Sequence, residues 1–426
     1  MKDNVIRVLL WGKEICRLEW VGGYRNRFGK VGAKVSFSQQ YHTYGYDLDP
    51  LGPFSTANYF VQRGLSDICR AKEHDGLPRF LSGSLPDDWG NKVFAAWKDR
   101  HHLKSSDVTS VDKLSFIGSR GMGALEFVPQ SYIPEEDLSV ELDELYSLAR
   151  QIASQRGEIS VDLGSNPGLN DLMAVGMSAG GKHPKAIIAV DWEHGKVKSG
   201  QMLLPDSYIH YILKFREEGQ WPAPEVEQTY YEMAVASGIE MMPSRLFNIS
   251  GVNHFLTERF DRKGGEKTHM ATLNALQGET DRYEDVFTAC RLLKLPQSDI
   301  RQLFTRVVFN YLSGNCDDHD INISFTMDRR GVWRISPAYD MTFTVNFANP
   351  LRGRHHAMTV GEDNTDLSAS RLMTLAEEND VAGAARIIEN VKNVLNNFKD
   401  FASKNGVPDF ASKLITEHIA SQVNQL

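Results

Sequence analysis

Short apolar runs alternate with polar positions and turn residues at the start of the chain. VIRVLLW (5–11), Gly12-Lys13-Glu14, ICRLEWV (15–21) and KVSFSQ (34–39) predict strands that open on a hairpin, because alternate side chains of a strand face opposite sides. Helical patterns follow. Ser84-Leu85-Pro86-Asp87-Asp88-Trp89 puts a proline and carboxylates in a first helical turn and leads into NKVFAAWKDR (91–100). The glycine-rich IGSRGMGALEFV (117–128) closes this first unit near residue 130. Between 134 and 156, Pro134 and acidic residues precede Val140, Leu142, Leu145, Leu148 and Ile152, which predicts a bridging helix. Strands AIIAVDW (186–192) and YIHYILKF (208–215), a helix over about 226–237 and a strand pair ending in NHFLTERF (253–260) come next.

The strongest helical period spans Ile300 to Leu312, behind Asp299 as its expected cap and ahead of Gly314 as its stop. A hairpin pattern, ISFTM-DRRG-VWRIS (323–336), follows, and residues 367–426 predict two or three amphipathic helices. No internal repeat or low-complexity stretch is present.

The 426 residues suffice for two or three packed units, and 41% hydrophobic with 24% charged residues is the make-up of a chain that folds. Forty-seven basic against fifty-five acidic residues give a net charge of −8, the wrong sign for a surface that tracks a phosphate backbone. No apolar run reaches the ~18–20 residues of a membrane span, and no export signal is evident. Cys16, Cys69, Cys290 and Cys316 are scattered without a C-x-x-C pair, which argues against a disulfide framework or structural zinc and for a reducing cytoplasm.

Four segments carry candidate chemistry. Gly176-Met-Ser-Ala-Gly-Gly-Lys182-His183-Pro-Lys185 nearly spells G-x-x-x-x-G-K-[ST], but His183 replaces the metal-binding hydroxyl and a strand-like run follows where that motif needs a helix. A P-loop NTPase is therefore disfavoured, while a glycine-rich turn can still cradle phosphates through its N–H groups. Asp317-Asp318-His319-Asp320-Ile321-Asn322 packs three carboxylates into four positions, which demands neutralising partners. Its D-x-x-x-x-N spacing matches the kinase catalytic loop, and Asp340 follows the next hairpin, where a metal-binding carboxylate arrives in kinases. Lys214 in YIHYILKF with Glu227 on the next helix resembles a strand lysine held by a helix glutamate, and Glu258-Arg259-Phe260 could present backbone groups and a ring to adenine. Each has a plainer reading when taken singly: a surface loop, a solvated acidic cap, an edge-strand charge, and an Arg259 paired to a carboxylate. His319-Asp320 also admits a dinuclear metal phosphohydrolase, without a matching upstream helical histidine.

Assembled in order, these residues resemble the HipA family of serine/threonine kinase toxins, whose catalytic domain is related in fold to the phosphatidylinositol kinases. The resemblance rests on S-A-G-G-K-H-P-K (178–185), I-L-K (212–214), E-R-F-D-R (258–262), F-N-Y-L-S-G-N-C-D-D-H-D-I-N (309–322) and S-P-A-Y-D (336–340). S-L-P-D-D-W-G (84–90) and G-M-G-A-L-E-F (121–127) resemble the family's N-terminal part, so nearly the whole chain is covered. The resemblance implies an α+β fold: a small β-rich subdomain at 1–130, an ATP-binding kinase lobe with the bridging helix at 131–262, and a mostly helical lobe at 263–426 carrying the catalytic loop.

It further implies an ATP- and Mg²⁺-dependent protein kinase with Asp317 as general base and Asn322 and Asp340 as metal ligands. Gly180, Gly181, Lys182, His183, Lys185 and Lys214 are the implied phosphate contacts, Glu258, Arg259 and Phe260 the adenine contacts, and His319 and Tyr339 also line the nucleotide site. Ser178 is the implied autophosphorylated serine; phosphorylation there adds roughly −1.5 to −2 charges to the loop and expels it from bound phosphates. Its plainer reading is a turn hydroxyl.

The implied partner is a HipB-like helix-turn-helix antitoxin, through which operator DNA is touched indirectly. The implied substrate is a protein, with an aminoacyl-tRNA synthetase as the family's example. HMATLNALQG (269–278) departs from the corresponding stretch of the best-known toxin, Lys182 stands where alanine is common, and Cys316 stands where threonine is usual. The rival reading is a pseudokinase that binds ATP and a repressor without transferring phosphate.

Overall fold

The computed structural model describes residues 5–21, 32–69, 73–104, 108–131, 141–154, 183–202, 204–349 and 353–425. It is an α+β protein divided into two compact units. The first is drawn from 1–217, Glu258–Ala271 and Met327–Val332; the second from Glu218–Thr257, Thr272–Thr326 and Trp333–Leu426. The chain thus passes between units more than once.

The first unit contains an antiparallel sheet in the order β4-β3-β2-β1-β5, formed by β1 (Val5–Leu10), β2 (Lys13–Val21), β3 (Gly32–Phe37), β4 (Ser66–Ile68) and β5 (Leu125–Val128). The opening hairpin is as expected. Trp11 and Gly12 both adopt positive φ, 49° and 78°, which matches the twist of a two-residue hairpin turn. Ile6, Val8 and Leu10 are buried on one face of β1, while a register shift opposite Val8 and Leu9 lets consecutive Ile15 and Cys16 both face inward. Helix α1 (Asp88–Arg100) starts where the sequence places it, with the Asp87 carboxylate capping the Gly90 N–H at 2.5 Å. Helix α2 (Ser110–Ile117) begins with a reciprocal Thr109–Asp112 capping box. Phe94 and Trp97 of α1 meet Phe116 of α2 in an aromatic cluster, with ring centroids 4.6–5.5 Å apart.

Helix α3 (Leu142–Ser154) occupies the expected bridging stretch and buries Leu145 and Leu148. The second sheet of this unit is built on β6 (Lys185–Asp191), buried along its whole length, with β7 (Lys196–Ser199) and β8 (Ile209–Lys214) antiparallel on either side. The indole N–H of buried Trp89 donates to the Lys185 carbonyl at 2.9 Å, tying α1 to β6.

A buried ionic cluster joins two more sequence-distant segments of this unit. Asp261 takes bonds from Arg259 at 2.8 and 2.7 Å, from Arg262 at 2.7 Å and from the Gly123 N–H at 2.7 Å. Arg262 in turn donates to the Gly121 and Gly123 carbonyls. Burial alone would raise the Asp261 pKa, but Arg259, Arg262 and the hydrogen bonds outweigh it and hold the carboxyl below the ordinary carboxylate range.

In the second unit, α4 (Ala223–Ala236) leads to an antiparallel hairpin, β9 (Ser244–Ile249) and β10 (Val252–Glu258). Helix α5 (Tyr283–Leu292) precedes α6 (Gln297–Ser313), which is buried over most of its length. Gly314 ends α6 in the left-handed conformation, as expected. Asp299 is not its cap: the helix begins at Gln297 behind Pro296, and the Asp299 carboxylate instead binds the Arg334 guanidinium at 2.6 and 2.8 Å and the Ile335 N–H at 2.9 Å. Those bonds fasten the hairpin of β11 (Ser324–Met327) and β12 (Trp333–Ile335) to α6. The C-terminal stretch holds four helices rather than two or three: α7 (Ala369–Glu378), α8 (Ala384–Asn396), α9 (Phe398–Lys404) and α10 (Asp409–Val423). Helices α8 and α10 pack on α6, which makes α6 the spine of this unit.

Asp261→Asn leaves two buried arginines without their anion and is expected to cost ~3–5 kcal/mol of stability at pH 7. Urea unfolding of parent and variant measures it. The depressed carboxyl stabilises only while ionised, so the gap between the two chains narrows as pH falls below about 4.

Candidate active site

The expected catalytic loop leaves α6 at Gly314 and returns into β11 through a single helical turn at Asp320–Asn322. Its entry is pinned by Asn310, whose carbonyl takes the Gly314 and Asn315 N–H groups and whose side-chain oxygen takes the Asn315 amide at 2.9 Å. The Thr344 hydroxyl oxygen then accepts the N–H groups of both Cys316 (2.7 Å) and Asp317 (3.0 Å).

The three crowded carboxylates are resolved by pointing them into different surroundings. Asp318 is buried and accepts from the Tyr283 hydroxyl (2.6 Å), His356 Nδ1 (3.1 Å) and the N–H groups of Ala357 (2.9 Å) and Met358 (3.3 Å). Asp320 is buried and accepts from the Asn274 amide (3.0 Å) and the Thr280 N–H (3.1 Å). The Asp317 side chain, by contrast, is 64% exposed, with His319 Nε2 3.8 Å from its Oδ1. Of the three, only Asp317 stands where a substrate hydroxyl can reach it.

Asn322 donates from Nδ2 to the Asp317 carbonyl at 2.8 Å, which ties the loop to itself and leaves its own Oδ1 out of that bond. Asp340 sits at positive φ, 56°, a left-handed conformation that Asp tolerates better than most side chains. Asn322, Asp340, Tyr339 and Asp318 line one cavity of about 30 Å³. The Tyr339 hydroxyl bonds Ser324 Oγ at 2.5 Å and the Ile321 carbonyl at 2.8 Å, so its ring borders the cavity while its oxygen braces the hairpin; burial pushes that phenol above its ordinary pKa. Neither Asp317 nor His319 lines this cavity. The oxygen donors of Asn322 and Asp340 suit a hard cation such as Mg²⁺, which takes one or two protein ligands and completes its shell with water and phosphate oxygens. No group of three or more His, Cys, Asp or Glu among the described residues could hold a metal by itself, so His319-Asp320 has no second set of ligands for a dinuclear centre there.

The remaining expected site residues lie in the first unit, with Glu227 on α4 of the second. Lys185 and Lys214 are register partners on β6 and β8. Lys185 is buried with Nζ 3.8 Å from Asp87 Oδ2, a partner in the S-L-P-D-D-W-G motif that the sequence shows only as a helix entrance. His183 bonds the Glu217 carboxylate. A strand, not a helix, follows Pro184, as the argument against a P-loop requires. Glu258 ends β10, and Phe260 lies in the turn after it, half-buried. The Arg259 guanidinium is buried on Asp261, as its plainer reading has it, which leaves the backbone of this residue as the part open to an adenine. Ser178, Gly180, Gly181 and Lys182 lie outside the described residues.

His356 and Thr344 carry no signal in the sequence, because they act from irregular segments with no period or motif. Burial acts to lower the His356 pKa, but the Asp318 carboxylate outweighs it and raises it to about 9. Cys316 is buried beside this pair, its sulfur 3.7 Å from the Arg354 carbonyl and 3.8 Å from His356 Nε2. The four cysteines are free thiols, and no helix among the described residues is long and apolar enough to cross a membrane.

Comparison with known proteins supplies the context for this arrangement. The sequence matches the family model of the HipA-like C-terminal domain over residues 177–415 and that of the HipA N-terminal domain over 6–128. Among solved structures it is similar to HipA of Shewanella oneidensis MR-1, in a complex with HipB and operator DNA, at a TM-score of 0.64 and 16% identity over 98% of this chain and 95% of that one. A second match, the Helicobacter pylori proinflammatory kinase CtkA, has a TM-score of 0.36 and 11% identity over 51% of this chain and 88% of that one. No curated protein sequence matches.

A histidine held charged in the fold stabilises it below its unfolded pKa near 6.5 and loses that contribution as pH rises toward about 9. Urea midpoints of the parent are therefore expected to fall across this window, by roughly 2–3 kcal/mol of stability. Asp318→Asn is expected to flatten that slope.

Proposed function

The chain belongs to the HipA family, and on that footing we propose that it is an ATP- and Mg²⁺-dependent protein serine/threonine kinase acting as the toxin of a HipB-like toxin–antitoxin pair. The observation that carries this reading is the separation of three neighbouring carboxylates into two buried anchors and one exposed base, on a loop whose Asn322 shares a cavity with Asp340.

Asp317 accepts the proton of a substrate hydroxyl as that oxygen forms its bond to the γ-phosphorus; the bond from γ-phosphorus to the bridging oxygen breaks, and the electron pair leaves with ADP. The loop contributes position: its anchored neighbours hold the Asp317 backbone still, so little ordering remains to be done at the moment of transfer. Asn322 Oδ1 and the Asp340 carboxylate would hold Mg²⁺, which when bound neutralises charge on the phosphate oxygens. The reading assigns phosphate binding to Gly180–Lys185 and Lys214, with Glu227 as the lysine's support, and adenine to the backbone of Glu258–Phe260 and the Phe260 ring. His319 is assigned to the nucleotide's surroundings through its place beside Asp317. Ser178 is the self-phosphorylated residue, and the added charge inhibits by repelling bound phosphates.

A helix-turn-helix antitoxin is the proposed partner, supported by the HipB present in the Shewanella complex and by a net charge of −8 that favours indirect contact with operator DNA. A protein is the proposed substrate, in the cytoplasm. The pseudokinase alternative draws no support from Cys316, which is a packed thiol that removes no group from the loop.

Labelled ATP with Mg²⁺ tests the reading. The parent is expected to transfer label to itself at Ser178, and Asp317→Ala to lose transfer by ~10²-fold or more. Asp340→Asn keeps a side chain that tolerates positive φ, so it is expected to fold normally and lose Mg²⁺-dependent transfer. Transfer by Asp317→Ala at the parental rate would sink the assignment.

A further inference from the structure

We propose that His356 is a positioning residue of the reaction, a latch that fixes the catalytic loop by closing on the carboxylate next to the base; this rests on the kinase reading above. The geometry is closed on every side of its ring. Nδ1 is 3.1 Å from Asp318 Oδ2, Nε2 is 3.8 Å from the Cys316 sulfur, and the ring lies flat on Tyr311, with centroids 3.9 Å apart and planes inclined by 10°. Its side chain is 2% exposed and the Asp318 side chain 1%. His356 therefore meets neither substrate nor solvent, and any effect on transfer has to pass through the loop.

The loop residues it reaches are the two that flank Asp317. The backbone just after His356 repeats the grip: the Ala357 N–H lies 3.0 Å from the Cys316 carbonyl and 2.9 Å from Asp318 Oδ1, and the Met358 N–H lies 3.3 Å from the same Oδ1. Asp317 is thus an exposed apex between two neighbours clamped to one short segment. The Tyr311 hydroxyl donates toward the Met358 and Asp363 carbonyls, so α6 holds the segment in place as well as stacking on the ring.

Removing the Nδ1–H donor leaves a buried carboxylate short of its cation, and the loop relieves this by turning Asp318 toward water. Asp317 and the Asn322 amide bonded to its carbonyl then move together. A displacement of about 1 Å at a reacting group costs on the order of 10²-fold in rate, which sets the scale of the expected effect.

The test measures steady-state ADP release by the full chain with Mg²⁺ and ATP, giving kcat and KM for ATP, alongside thermal melting. His356→Phe keeps a ring on Tyr311 and loses the donor; kcat is expected to fall ~10–100-fold while KM for ATP changes less than about threefold. His356→Asn restores an N–H donor near the position of Nδ1 and is expected to recover kcat to within about fivefold of the parent. If His356→Phe does not fold, Asp318→Asn, which keeps the shape and drops the charge, takes its place with the same expected loss. Parental kcat in the donorless variant, alongside an inactive Asp317→Ala, overturns the latch and leaves the kinase reading standing. Loss of kcat in step with melting, with no recovery in His356→Asn, also overturns it by showing a structural role alone. An active Asp317→Ala removes both.

Discussion

A buried carboxylate can persist only if every lone pair it turns away from water finds a donor, and Asp318 meets that condition with four. Those donors come from α5, from the His356 ring and from two backbone amides beyond it, segments separated from the loop by 35 to 40 residues. Satisfying one anion therefore draws three stretches of chain to one point. The loop that carries Asp317 inherits its rigidity from that point, since a buried network that is fully bonded has a single low-energy arrangement.

The first unit uses the same physics for a different end. Asp261 gathers Arg259, Arg262 and the Gly123 amide, and so joins E-R-F-D-R to G-M-G-A-L-E-F across more than 130 positions of sequence. There the anion meets two guanidinium groups and its pKa is depressed; at Asp318 it meets one imidazole, whose pKa is raised. Both motifs are recognisable as strings in the sequence, yet what makes them structural is a partner the strings do not contain.

Elements governed by local periodicity were legible: the opening hairpin, α1, α6 with its Gly314 stop, and the β11–β12 hairpin all follow from alternation, capping residues or helical spacing. An error arose where a polar side chain had two uses open to it. Asp299 has the composition of a cap, but the Arg334 guanidinium and the Ile335 amide offer it three bonds, more than a cap position supplies. For Arg259 the sequence allows a carboxylate partner without naming it, and the fold supplies Asp261, two residues later. The crowding of Asp317, Asp318 and Asp320 announced that neutralising groups must exist, but Thr280, Tyr283 and His356 are distant and unpatterned, so only the folded chain identifies them.

The division of labour among those three carboxylates follows from free energy rather than from residue type. Burying Asp318 and Asp320 is costly, and hydrogen bonds offset the cost only when the surrounding backbone is held in one geometry. That requirement is what makes the loop stiff. Asp317, projecting from the stiffened backbone into solvent, keeps an ordinary exposed side chain that can meet a hydroxyl. Had all three been exposed, their mutual repulsion would have been screened by water and the loop left free to move; had all three been buried, none could act as a base. Asp340 shows the same economy: its positive φ stores backbone strain beside the cavity it lines, and such strain persists only where the surroundings over-determine it. Tyr339, immediately before it, is bonded to Ser324 and to the Ile321 carbonyl and supplies that determination.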